Sequence, residues 1–154
     1  MAAVISYQKA YIIIHDGTNV LVGTGGKSGR KKNTRRGYHL PGGTVEGLDD
    51  KGAVAAVKRE FGEETNISAE QITIKGSVQS PEIEGTDILF VVATVESVDN
   101  LVAGFDRPDV LNQYDEPFEG LVSMPIEDCW ENDNFSDNYW TDWFGLGLKA
   151  AFNK

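Results

Sequence analysis

Leu40-Pro41-Gly42-Gly43-Thr44-Val45-Glu46, followed by Arg59-Glu60-Phe61-Gly62-Glu63-Glu64-Thr65-Asn66-Ile67, decides how this chain is read. The first segment reads as a strand ending in a Pro-Gly-Gly turn, and the second as a helix with three glutamates. Pro41 fixes one backbone angle, while Gly42 and Gly43 permit positive φ and close approach of the backbone to a ligand. Glu60, Glu63 and Glu64 stand at i, i+3 and i+4, so they project from one helical face. Like charges at that spacing repel, and a hard divalent cation would offset the repulsion. The plainer alternative is a solvated acidic face, the ordinary use of charge on a surface helix.

Together the two segments resemble the Nudix signature: Gly, five residues, Glu, seven residues, then Arg-Glu-aliphatic-x-Glu-Glu-x-Gly-aliphatic. Gly43 opens it, and Arg59, Glu60, Phe61, Glu63, Glu64 and Ile67 fill its second half. Asp49 takes the first acidic position, nine residues rather than seven separate it from Arg59, and Asn66 stands where Gly is usual. Asn tolerates the left-handed conformation that ends a helix. The two extra residues are expected to lengthen the entry loop around 49–52 and leave the glutamates in place.

The resemblance implies an α/β fold of the α+β type, an α/β/α sandwich with a mixed sheet, as one domain over residues 1–154. It also implies hydrolysis of a pyrophosphate bond in a nucleotide, with Mg²⁺ or Mn²⁺ as cofactor. Glu60, Glu64 and then Glu63 are the expected metal ligands, joined by a backbone carbonyl at Gly43. Arg59 is expected to orient a glutamate of the box, and lies within helical ion-pair reach of Glu63. The general base is Glu63, Glu64 or a carboxylate on a later loop, Glu116 or Glu119. Gly42 would approach the substrate.

Hydrophobic content of 40% and charged content of 25% are those of a soluble globular protein. A chain of 154 residues can bury a core. A net charge of −10 disfavours general nucleic-acid affinity, including capture of RNA ends. Met1-Ala2-Ala3-Val4 shows no basic region followed by an apolar run, and no stretch is long enough to span a bilayer. Cys129 is the only cysteine, which suits the cytoplasm. The expected partner is a small nucleotide, with no membrane and a monomeric or homodimeric chain.

Charge is unevenly distributed. Lys27, Arg30, Lys31, Lys32, Arg35 and Arg36 crowd the Gly-rich segment 23–37, whereas Arg107 is the only cation between Gly76 and Leu148. The basic segment reads either as a solvated loop or as a funnel for phosphates, with Lys31, Lys32, Arg35 and Arg36 binding substrate. Gly25-Gly26-Lys27-Ser28 lacks the first glycine of a P-loop at the required spacing.

Residues 10–14 and 20–22 read as a hairpin around His15-Asp16-Gly17-Thr18-Asn19, with His15 a turn residue rather than a ligand. A short strand is expected at 37–40, loop at 47–52 and helix at 53–65, with Val54, Val57 and Phe61 as its buried stripe. Further strands are expected at 72–78, 88–95 and 121–124. The run at 88–95 is β-branched without alternation, so it reads as a central strand buried on both faces. Residues 99–119 read as irregular, 125–128 as a helix start, and 138–152 as a C-terminal helix that Gly145 and Gly147 argue against. Trp130, Trp140 and Trp143 are aromatic core or a stacking surface for a nucleobase.

Pro81, fifteen residues beyond Asn66, resembles the ADP-ribose pyrophosphatase branch of the family. Nucleoside diphosphate sugars are therefore the favoured substrates, with nucleoside triphosphates second. A sensor that binds without cleaving is the rival suggested by the altered Asp49–Arg59 spacing.

Overall fold

The computed structural model describes residues 7–25, 27–28, 33–34, 37–78, 88–108, 117–130 and 142–153. Lys31, Lys32, Arg35, Arg36, Pro81, Glu116 and Trp140 lie outside them. The strands are β1 (Tyr7–His15), β2 (Asn19–Thr24), β3 (Lys27–Ser28), β4 (Asn33–Thr34), β5 (Tyr38–His39), β6 (Gly42–Leu48), β7 (Thr73–Val78), β8 (Ile88–Thr94) and β9 (Gly120–Pro125). The helices are α1 (Asp50–Thr65), α2 (Val98–Ala103), α3 (Ile126–Cys129) and α4 (Asp142–Ala151).

Seven strands form one mixed sheet; β3 and β4 pair separately within the basic segment, which had been expected as loop throughout. β1 lies at the centre of the large sheet. It runs parallel to β8 from Lys9↔Ile88 to His15↔Thr94, and antiparallel to β6. β2 folds back on β1 at His15↔Val20 and carries β5 and β9.

The sheet is covered on both faces, which explains the unbroken apolar run of β8. Leu89, Val91 and Ala93 of β8 join Ala10, Ile12 and Ile14 of β1 beneath α1 and α2. Ile88 and Phe90 join Tyr11 and Ile13 beneath α3 and α4. Period-two geometry sends alternate residues of each strand to opposite layers, so both sets must be apolar. The result is the mixed α/β sandwich that the signature implies.

Three expectations are corrected. Residues 47–48 belong to β6, because the backbone from Gly42 to Leu48 pairs with β1. Helix α1 begins at Asp50 rather than 53, so Asp50, Lys51 and Gly52 form its first turn and not a longer loop. Asp49 is its cap: the side chain accepts the Gly52 amide at 2.8 Å. Residues 98–103, mostly within the segment read as irregular, form α2, with Ser97 accepting the Asn100 amide and Val98 and Leu101 buried. Its single turn and a half is too short to show helical periodicity in sequence.

Candidate functional site

Helix α1 is docked by Ala53, Ala56, Val57 and Phe61, all buried, with Val54 packed at their edge. The small alanines let the helix lie close to β1 and β6. Asn66 ends it in the left-handed conformation at φ 61°, its amide donating to the Gly62 carbonyl.

That docking separates the three glutamates. Glu64 is 2% exposed. Its Oε1 accepts the amide of Gly42 at 2.8 Å, joining the last turn of α1 to the first residue of β6. Glu63 is exposed, and its Oε1 accepts from Arg59 Nη1 at 3.1 Å. Glu60 is partly buried and lies 3.5 Å from Arg59 Nη2. The helical ion pair expected of Arg59 is therefore present.

The Gly-Gly edge has its own geometry. Gly42 and Gly43 take φ of 134° and 156°. A Cβ on Gly42 would overlap the Ala10 carbonyl oxygen, so only glycine lets β6 approach β1 here. At Gly43 nothing lies within 4 Å of where a Cβ would stand. The Pro41–Gly42 peptide is held at both ends: its oxygen accepts from Ile12 N at 2.9 Å, and its N–H goes to Glu64.

Phe118 closes the far side, its amide donating to the Glu64 backbone carbonyl at 3.0 Å. The neighbouring Glu119 is turned to Arg107, with Oε1 2.9 Å from Nη2. No described contact joins Glu119 to Glu64. The fold thus brings Glu64 to Gly42 and Glu63 to Arg59, and places Glu119 on a partner the sequence did not suggest. Sequence reading also passed over His39, whose ring adjoins this turn.

The donor chemistry suits a hard divalent cation: carboxylate oxygens along one helix, with open space over Gly43. Among the described residues no three His, Cys, Asp or Glu side chains converge to hold an ion by themselves. Mg²⁺ needs no such cage, since it commonly takes one or two carboxylates together with waters and substrate phosphates.

Of the tryptophans, Trp130 is partly buried against the layer under α3 and α4, the core role. His15 ends β1, its Nδ1 accepting the Gly17 amide and its ring meeting Phe152 edge-on. It closes the strand beside the turn in which it was expected.

The site is thus a glutamate-bearing helix tied to a Gly-Gly strand, on a mixed sheet between helical layers. The NUDIX domain profile matches residues 8–144, and the chain belongs to that family. Similar solved structures include the E. coli ORF135 protein, at 19% identity over 94% of this chain and 87% of that one, with a TM-score of 0.52. The C. elegans Ap4A hydrolase binary complex is 19% identical over 94% of this chain and 95% of that one, with a TM-score of 0.51. The M. smegmatis Nudix hydrolase RenU is 17% identical over 91% and 83%, with a TM-score of 0.52. These likenesses concern the fold. No curated protein matches the chain. No helix among the described residues is long and apolar enough to cross a membrane.

Proposed function

We propose that the protein hydrolyses the pyrophosphate bond of a nucleoside diphosphate derivative with Mg²⁺ or Mn²⁺, nucleoside diphosphate sugars such as ADP-ribose first. The observation that carries this reading is the buried Glu64 carboxylate on the Gly42 amide, one helical turn beyond Glu60. Glu60 and Glu64 would hold the cation with the Gly43 carbonyl, and Glu63 would border it. When bound, the cation neutralises phosphate charge and lowers the pKa of a coordinated water.

The chain's own contributions are positional. Gly42 fixes the Glu64 carboxylate, and Arg59 restrains Glu63 and Glu60 on the helix surface. A base must be able to take a proton from water. Glu63 and Glu119 are both exposed, and each would first have to leave its arginine, Arg59 or Arg107. The cations at Lys31, Lys32, Arg35 and Arg36 would draw phosphates toward the turn.

Charge favours two phosphates over three. Arg107, the only cation between Gly76 and Leu148, is already neutralised by Glu119, so the acidic second half offers little to a further phosphate. The test is a Mg²⁺-dependent screen over nucleoside diphosphate sugars and nucleoside triphosphates with products identified. ADP-ribose should yield AMP and a sugar phosphate. A preference of about tenfold or more in kcat/KM for any triphosphate, roughly 1.4 kcal/mol, would overturn the sugar-diphosphate reading. Tight binding without turnover would mark a sensor.

A further inference from the structure

We propose that His39 is a positioning residue: its ring N–H fixes the Leu40–Pro41 peptide and so holds the Gly42 amide on Glu64. His39 Nδ1 lies 2.7 Å from the Leu40 carbonyl oxygen. A carbonyl oxygen only accepts, so Nδ1 carries the hydrogen. The following peptide is held by Ile12 and Glu64. Two successive peptides of the turn are therefore tied, the first by His39 and the second by β1 and α1. Pro41 has no N–H of its own, so the Leu40–Pro41 peptide can be anchored only through its oxygen.

The ring is also braced. Its centroid is 4.8 Å from that of Phe144, 5.9 Å from Tyr11 and 6.0 Å from Phe118. Each of these leads back to the site or its cover. Tyr11 pairs in register with Gly42, Phe118 donates its amide to the Glu64 backbone, and Phe144 is the buried anchor of α4. His39 itself pairs with Gly23 of β2. The His39 ring thus couples β1, α4 and the segment before β9 to the turn that carries Glu64's donor, and its backbone adds β2.

Two substitutions separate the ring from its hydrogen. His39→Phe keeps the ring and removes the donor. His39→Asn removes most of the ring and keeps a donor at the position of Nδ1. The first readout is hydrogen exchange at the Gly42 amide, followed by NMR on the full chain without metal. His39→Phe should lose roughly tenfold or more in protection there, and His39→Asn should stay near wild type. The second readout, which rests on the proposed hydrolysis, is kcat against KM for ADP-ribose in Mg²⁺. His39→Phe should lower kcat by about tenfold with KM within about twofold, and His39→Asn should restore it. Unchanged Gly42 exchange in His39→Phe overturns the proposal. So does loss of protection in His39→Asn, which would assign the effect to ring packing. If the wild type turns over none of the substrates, the hydrolytic reading fails, and Gly42 exchange alone still decides the role of His39.

Discussion

Glu64 and Gly42 meet across 22 residues of sequence, with the carboxylate accepting the glycine amide at 2.8 Å inside the protein. A buried charge is tolerated only when it is paired or hydrogen-bonded. This bond makes Glu64 part of the frame, and under the proposed function it also supplies a carboxylate to the cation.

Glu64→Gln should therefore lower kcat/KM by about 100-fold or more in Mg²⁺, because the anion that a hard cation requires is gone. The fold should survive, since the amide oxygen can still accept from Gly42. Glu64→Ala should additionally cost about 1–3 kcal/mol, because the Gly42 N–H is left unpaired in a dry site. Denaturant unfolding beside steady-state kinetics checks both. Wild-type turnover by Glu64→Gln would remove this residue from the site.

Gly147 sits in α4 where a Cβ would stand 2.5 Å from the Phe90 ring. Phe90 is fully buried, so its ring can yield only by displacing packed neighbours. Gly147→Ala should gain about 1 kcal/mol in helix propensity and lose about 1–3 kcal/mol to overpacking. Thermal unfolding should show a net loss, against the propensity scale.

Asn66 holds the left-handed cap of α1 at φ 61°. Asn66→Gly should change stability by only about 0.5 kcal/mol, because glycine adopts that conformation freely. Asn66→Val should cost about 1–2 kcal/mol, the penalty of a side chain in that region. Equal melting temperatures for the two variants would contradict the assignment.

Acid should loosen the hairpin turn in two stages. Burial lowers the pKa of His15 from its ordinary 6.5, against a weaker upward pull from Asp16. The folded state prefers the neutral ring, so this stabilisation is complete above pH 6.5 and is lost as pH falls through the lower folded value. Burial acts to raise the pKa of Asp16, but hydrogen bonds from the Asn19, Val98 and Thr18 amides outweigh it and bring the value below 3.8. Its contribution is present above pH 3.8 and fades below that. Unfolding free energy against pH, compared with His15→Gln and Asp16→Asn, should show the first step vanish in one variant and the second in the other.

Much of the frame was legible in the sequence because its signals are local. Spacing alone put Glu60, Glu63 and Glu64 on one side of a helix, Asn66 marked the end of that helix, and the β-branched run at 88–95 announced a strand buried on both faces. The start of α1 was missed because Asp49 serves as a helix cap, where the signature pattern had suggested only an acidic position in a loop. The C-terminal helix expected from the sequence is present despite its glycines: helix propensity prices them against solvent, while here they allow close approach to Phe90 and to the Trp130 carbonyl. Tertiary structure alone decided which glutamate is buried. Glu63 and Glu64 are adjacent in sequence, yet one faces solvent beside Arg59 and the other is sealed against Gly42. Helical period fixes the angle between neighbouring side chains, about 100°, but not which of them faces the sheet. That direction is set by how α1 docks on β1 and β6.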